Sequence, residues 1–370
     1  MLRRALDGEF AALPYAAGSA APPLPDRISP DDGTALVVGT SGSTGTPKLA
    51  MLPASALRAS ADATHERLGG PGTWLLAMPP HHIAGVQVML RCIAADTQPA
   101  FVDLTSGFRP AAFAEAVTAL PGDRRYTALV PTQLVRVLAD DHATRAAATL
   151  DAVLVGGAAS SPTLLTHARD AGITVVTTYG MSETAGGCVY DGVPLRPSRV
   201  STAPDGRLHL GGATLASGYL GQPDLSAAVF VTDADGLRWF RTDDAGHQDA
   251  DGRWRVDGRL DDLITTGGLK VSPRLVEEAL LEHLDAVEEV VVVGTPDPEW
   301  GELVAAAVTV RAGAAAPTAS DARTVLRGIL PDHALPRRLV VLEVLPLRGP
   351  GKPDRRALRE ALATHDTMEP

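Results

Sequence analysis

The chain has 370 residues, 45% of them hydrophobic and 4% aromatic, with a net charge of −11. That length suits about two domains with cores built mainly from Val, Leu and Ala, and the acidic balance disfavours nucleic acid or an anionic membrane as the main partner. Two cysteines, Cys92 and Cys188, exclude a disulfide framework, and no run of about 18 apolar residues marks a membrane span, so a soluble cytoplasmic protein is expected.

Residues 1–33 are an Ala/Pro-rich lead-in, and Asp7 and Glu9 interrupt the stretch where a signal peptide would need its apolar core. Ala35–Val38 reads as a buried strand. It runs into Gly39-Thr40-Ser41-Gly42-Ser43-Thr44-Gly45-Thr46-Pro47-Lys48, which holds three glycines, five hydroxyls and one lysine. Glycines let backbone N–H groups approach an anion, hydroxyls add donors and Lys48 adds a point charge. The stretch lacks the ending of a Walker A loop. A flexible linker shares this composition, but the strand before the loop and the Pro-Lys exit favour a phosphate cradle.

A helix is expected over Pro53–Leu68 and a buried strand over Trp74–Met78. The strand ends in Pro79-Pro80-His81-His82-Ile83-Ala84-Gly85, where two histidines suggest a pocket rim without a third ligand at metal spacing. Val86–Ala95 reads as a helix, Ala100–Val102 and Tyr126–Val130 as strands, and residues 111–120 and 132–139 as helices. The strand Ala152–Val155 runs into Gly156-Gly157-Ala158, and the helix Pro162–Ala171 and strand Ile173–Thr177 follow. This alternation gives a mostly parallel sheet, whose ligands bind beyond the strands' carboxyl ends. The loop after Val38, the histidines after Met78 and the Gly156 turn are each placed at such an end. So is Thr178-Tyr179-Gly180-Met181-Ser182-Glu183-Thr184, where a ring, a glycine and a carboxylate can stack a base, admit a backbone contact and hold Mg²⁺.

From about Arg199 short alternating segments suggest a small antiparallel β region. Gly258–Ile264 is a charge cluster, and the paired glycine before Lys270 marks a hinge or functional turn. Beyond it lies an independent αβ pattern: the helix Pro273–Leu284, strands Val287–Val293 and Leu303–Val310, a helix over Asp321–Leu330 capped by Asp321, and the strand Leu339–Leu342. The fold class is therefore α/β: a large N-terminal domain, 1–260, and a small α+β domain, 261–370. Lys352 closes the chain on a Gly/Pro-rich turn.

Five stretches together resemble the adenylate-forming superfamily of acyl-CoA synthetases, peptide-synthetase adenylation domains and firefly luciferase. They are Thr40–Lys48, Tyr179–Glu183, Gly206–Tyr219, Gly258–Lys270 and Gly351-Lys352. The chain departs from the superfamily pattern in reading Thr242-Asp243-Asp244 for Thr-Gly-Asp, in Leu275 for the usual Glu, and in lacking the usual basic-Thr pair before Gly351. Only residues 1–39 precede Thr40, so a compact version without much of the usual N-terminal subdomain is expected, and exposed apolar surface there makes a homodimer an expectation. The short length and Met78–Gln87 resemble the o-succinylbenzoate–CoA ligases of menaquinone biosynthesis, in the short form found in actinobacteria.

The resemblance implies ATP, Mg²⁺ and CoA, and a carboxylic acid, o-succinylbenzoate, as substrate. It implies that Thr40, Ser41, Gly42, Ser43, Thr44, Gly45 and Lys48 hold the β- and γ-phosphates and Glu183 the magnesium. Tyr179 would pack on adenine beside Gly156, Gly157 and Ala158, with Gly180, Met181 and Ser182 completing the nucleotide site. Asp244 and Arg259 would take the ribose. His82, Gly85, Val86, Thr178 and Gly180 would line the acid. Lys352 would bridge the carboxylate and α-phosphate, with rotation about Asp261 bringing Gly267, Gly268 and Lys270 to CoA. The alternatives are another acyl- or aryl-CoA ligase, an enzyme loading a carrier protein, and a catalytically silent nucleotide-binding module.

Overall fold

The structure, a computed structural model, describes residues 1–16, 18–19, 33–40, 48–346 and 353–364. The chain divides into two compact units. The first comprises Met1–Ala203, Leu208–Thr242 and Gln248–Trp254; the second comprises Pro204–Arg207, Asp243–His247 and Arg255–Pro370.

In the first unit β1 (Thr34–Gly39) and β2 (Leu49–Pro53) form an antiparallel hairpin with Gly39 opposite Leu49. The short strand Gly218–Tyr219 pairs with β2 and completes a three-stranded sheet. A second sheet contains β3 (Thr73–Leu76), β4 (Ala100–Phe101), β5 (Arg125–Leu129), β6 (Ala152–Gly156), β7 (Val175–Met181), β8 (Gly186–Tyr190) and β9 (Val193–Pro194). Its strand order is β4-β3-β5-β6-β7-β8-β9. Pairing is parallel from β4 to β7 and antiparallel from β7 to β9.

The parallel strands are apolar without alternation because both faces are covered. The pleat still sorts their side chains. Leu75, Val153, Val155 and Val175 pack in one core, beside Phe113, Leu134 and Val137. Trp74, Leu76, Leu154 and Val176 pack in the other, beside Ala63, Val88 and Tyr126. The helices Pro110–Ala119 and Pro131–Leu138 therefore cover one face, and Ala54–Arg67 and Ile83–Ala94 the other.

Two sequence expectations are corrected here. The strand before the glycine-rich loop is not part of the parallel sheet; it belongs to the separate antiparallel one. A four-residue apolar run carries no information about its partner, and Leu49–Pro53 was not read as a strand at all. Thr178–Met181 is not a loop beyond its strand but the second half of β7, which extends because β8 returns to pair with it. The helix Asp141–Ala147, capped by the Asp140 carboxylate, was also missed.

In the second unit Val287–Asp297 and Gly301–Val310 pair along their length, and Arg338–Val341 adds in parallel. Val292, Val304, Ala306 and Val308 face the helix Pro273–His283 through Val276 and Leu280. Val291, Val293, Ala305 and Ala307 face Leu358 and Leu362 of the helix Arg355–Thr364. The helix expected over Asp321–Leu330 instead spans Ala319–Leu326. Its cap is Thr318, whose hydroxyl accepts from the Asp321 N–H at 3.2 Å while the Asp321 carboxylate accepts from the Thr318 N–H at 2.9 Å. Asp321 thus closes a capping box from the helix interior instead of starting it.

Candidate active site

In the first unit the β1–β2 hairpin presents the glycine-rich loop. The Thr40 N–H donates to the Lys48 carbonyl at 2.8 Å and closes the base of the loop. Ser41, Gly42, Ser43, Thr44 and Gly45 lie outside the described residues, as does Lys352. Beside the loop base, the Ser182 hydroxyl donates to the Gly39 carbonyl at 3.5 Å.

Glu183, on the short helical turn Ser182–Thr184 after β7, is only 7% exposed. Its carboxylate accepts from the Tyr219 hydroxyl at 2.7 Å, and its carbonyl accepts from the Ala216 N–H at 2.8 Å. The Lys48 ammonium stands over the Tyr219 ring, 5.5 Å from its centroid. Thr40, Lys48, Ser182 and Glu183 are therefore brought together, and Tyr219 joins them. Sequence reasoning gave Tyr219 no role, although it closes the Gly206–Tyr219 motif.

The turn carrying Glu183 is pinned from several sides. Ala185 has φ of 52°, a left-handed conformation that costs a non-glycine residue roughly 1–2 kcal/mol. Its carbonyl accepts from the Ser60 hydroxyl at 2.9 Å and the Gln87 amide at 2.6 Å. The Thr184 hydroxyl accepts from the Met181 N–H at 3.0 Å and donates to the Gly186 carbonyl at 2.8 Å. No sequence signal marked Ser60, in the middle of a helix; Gln87 closes the Met78–Gln87 stretch but was given no role.

Strands β6, β7 and β8 meet along a seam of glycines. A Cβ on Gly156 would lie 2.2 Å from the Thr178 hydroxyl oxygen, and one on Gly180 would lie 2.1 Å from the Gly186 carbonyl oxygen. Gly157 has φ of 81°, and Ala158 beside it is exposed. Tyr179 is half-buried against Cys188, Val189 and Leu210. His82 immediately precedes the helix Ile83–Ala94, its ring 4.3 Å from that of His81. Gly85 lets this helix start close to the preceding prolines: a Cβ there would lie 2.3 Å from the Pro79 carbonyl oxygen. Val86 is buried behind it, and Gln87, one residue on, approaches Gly186. The segment His82–Val86 thus runs towards the same β8 turn as Gly180.

In the second unit Asp244, Arg259 and Asp261 form a charge cluster. Arg259 donates to both Asp261 carboxylate oxygens at 2.7 Å. Its guanidinium is 3.9 Å from Asp244 and 3.6 Å from Asp243, which itself pairs with Arg207 at 3.1 Å. The Asp261 hydrogen bond, with Asp244 nearby, raises the Arg259 pKa, so its charge is fixed. Burial raises the neighbouring Asp262 carboxyl, which lies 3.5 Å from Arg355.

Gly267 and Gly268 occupy a different place, a two-residue turn between Ile264–Thr266 and Leu269–Val271, with φ of 56° and 77°. Positive φ at both central residues is what such a hairpin turn demands. Lys270 follows on the second strand, exposed. A Cβ on Gly267 would lie 2.9 Å from the Trp300 ring.

Among the described residues no three His, Cys, Asp or Glu side chains group as a metal cage. A single buried carboxylate suits magnesium, which keeps waters and takes substrate phosphates as its other oxygen ligands. The donor at Glu183 therefore fits a magnesium–nucleotide ion.

The family profile described as AMP-binding enzyme matches residues 4–238, and that of the AMP-binding enzyme C-terminal domain matches residues 275–352. The chain belongs to the AMP-binding enzyme family. It is 48% identical over 330 residues to the probable 2-succinylbenzoate–CoA ligase of Mycobacterium tuberculosis, covering 89% of this chain and 84% of that protein. Among solved structures it is similar to E. coli MenE with a bound m-phenylether-linked analogue of OSB-AMS, at 28% identity and TM-score 0.67, over 90% of this chain and 70% of that one. It is also similar to the amide bond synthetase McbA of Marinactinospora thermotolerans, at 29% identity and TM-score 0.78, over 94% and 72%. The mixed α/β architecture with a small C-terminal αβ region agrees with the fold class expected from the sequence. No helix among the described residues is long and apolar enough to cross a membrane.

Proposed function

We propose that this family member is an AMP-forming acid–thiol ligase that converts o-succinylbenzoate to its CoA thioester. An oxygen of the acid's carboxylate attacks the α-phosphorus of ATP, and the bond to pyrophosphate breaks. The CoA thiolate then attacks the acyl carbon of the adenylate, and AMP leaves. Such chemistry needs alignment and charge neutralisation more than covalent help. The observation that carries this reading is the assembly of Lys48, Glu183 and Tyr219 at the base of the loop, in a chain so similar to the mycobacterial ligase.

In this reading the Thr40–Lys48 loop holds the β- and γ-phosphates, and Glu183 ligates the Mg²⁺ that neutralises them. Tyr179 packs on adenine beside Gly156, Gly157 and Ala158. Asp244 accepts from the ribose hydroxyls, with Arg259 assisting. His82 stands by the acid carboxylate, and Gly85, Val86, Thr178 and Gly180 line its pocket. Lys352 bridges the carboxylate and the α-phosphate. We place the domain boundary at Asp261, with 261–370 rotating between half-reactions so that Gly267, Gly268 and Lys270 serve CoA.

Two buried, unpaired cysteines favour the cytoplasm. Exposed Phe101 on the edge strand β4 favours a homodimer, which sedimentation as a monomer alone would remove.

Likeness to an amide bond synthetase supports a second reading, in which an amine accepts the acyl group. Acid-dependent exchange of labelled pyrophosphate into ATP, run across a panel of acids, tests activation. The fastest exchange is expected with o-succinylbenzoate. Faster exchange with fatty or other aryl acids would overturn the substrate, and no exchange with any acid would overturn the enzyme. Parallel trapping by CoA or by amines separates the two acceptors.

A further inference from the structure

Several contacts hold Tyr219 in place. Its N–H donates to the Ser226 hydroxyl at 2.8 Å, and its ring meets Phe230 edge-on at 5.7 Å. Phe230 is itself covered by the Arg238 guanidinium, 4.8 Å from its centroid, which donates to the carbonyls of Ala216 at 2.6 Å and Ser217 at 2.7 Å. The segment Ala216–Tyr219 is thus braced before it touches the site. It then holds Glu183 twice, by the Ala216 N–H at its carbonyl and by the Tyr219 hydroxyl at its carboxylate. Through Tyr219 opposite Ala50 it is also a strand of the sheet that carries the loop.

We propose that Tyr219 is a positioning residue for the metal–triphosphate half of the site, aiming the Glu183 carboxylate with its hydroxyl and seating the Lys48 ammonium on its ring face. The proposal rests on the reading of Glu183 as the magnesium ligand. Its physical basis is that one side chain fixes both charges. A buried phenol that donates to a carboxylate leaves it one preferred orientation, and a charge-assisted bond is about twice as strong as a neutral one. An aromatic face attracts an ammonium without neutralising it, so Lys48 stays available to an anion. One side chain thereby gives each charge its place, the carboxylate at the hydroxyl and the ammonium at the ring face.

The test separates hydroxyl from ring. Tyr219→Phe removes only the hydroxyl, and Tyr219→Leu also removes the ring face. Calorimetric binding of Mg·ATP, and of ATP in chelator, is measured for each beside the natural chain. Tyr219→Phe should weaken Mg·ATP binding roughly three- to ten-fold and leave metal-free ATP within two-fold of the natural chain (about 0.4 kcal/mol). Tyr219→Leu should weaken both. Thioester formation from supplied acyl-adenylate, which needs no metal nucleotide, should survive in both and confirms that they fold.

Equal losses of Mg·ATP and metal-free ATP in Tyr219→Phe, or no loss of either, would overturn the proposal. So would loss of the thioester step along with nucleotide binding. Glu183→Gln serves as the control. If it loses the magnesium preference and Tyr219→Phe keeps it, the positioning role fails alone. If Glu183→Gln itself keeps the preference, the reading of Glu183 fails, and the role of Tyr219 with it.

Discussion

Replacing Gly180 with alanine adds one methyl group, whose carbon would lie 2.1 Å from the Gly186 carbonyl oxygen and 2.7 Å from the Gly187 Cα. Favourable carbon contacts lie at about 3.5–4.0 Å, so β7 and β8 must part by roughly 1 Å. The obstacle is backbone, which cannot rotate away as a side chain would. Gly180 is not among the residues of positive φ, so alanine is not conformationally forbidden and the whole cost is steric. Overpacking of this kind costs about 1–3 kcal/mol, against which the lost freedom of the unfolded glycine returns about 0.4–1 kcal/mol. The displacement falls between Tyr179 and the turn bearing Glu183. A shift of about 1 Å in a positioning group lowers rates about 100-fold. Urea denaturation should show a net loss of roughly 1–2 kcal/mol, and acid-dependent pyrophosphate exchange should fall by about two orders of magnitude. A variant of natural stability and natural exchange rate would refute the close approach of β7 and β8 as the reason for this glycine.

Lys352→Ala should lower adenylation by roughly 10²–10³ while sparing thioester formation from supplied adenylate; equal loss in both half-reactions would contradict alternation of the small domain. Gly267→Ala places a methyl against the Trp300 ring at a φ of 56°, so it should raise the KM for CoA and leave pyrophosphate exchange intact. Loss of exchange instead would detach that turn from CoA. Burial, reinforced by the Arg91 charge, pushes the His65 imidazole down to about 4. Between that value and the ordinary 6.5 the unfolded chain binds the extra proton, so stability should fall as the pH drops from 6.5 towards 4. Urea midpoints that stay flat across this range, or a slope unchanged in His65→Gln, would show that His65 is not the group responsible.

The parallel sheet was legible because its strands are apolar without alternation and are separated by helical segments. The small αβ unit was legible from the four-residue spacing of Val276, Leu280 and Leu284. What could not be read was partnership. Ala35–Val38 looks the same whether its neighbour is a parallel strand or a hairpin mate, and only the missed strand Leu49–Pro53 decides it. Thr178–Met181 looked like a loop because Gly180 interrupts the run, although Thr178 and Tyr179 favour strands; β8 supplies the extension. The candidate residues drawn from the sequence were those in contiguous motifs, such as Glu183 and Arg259. Ser60, Gln87 and Tyr219 act through contacts spanning 125, 98 and 36 residues, and local pattern is silent about such distances.

The most direct test of the central claim is the stoichiometry of one reaction: purified chain with ATP, Mg²⁺, CoA and o-succinylbenzoate, followed by mass detection of all products. Equal amounts of AMP, pyrophosphate and o-succinylbenzoyl-CoA are expected, with no ADP, and none of the three when the acid is omitted. ADP in place of AMP, or AMP formed without the thioester when CoA is saturating, would contradict the account.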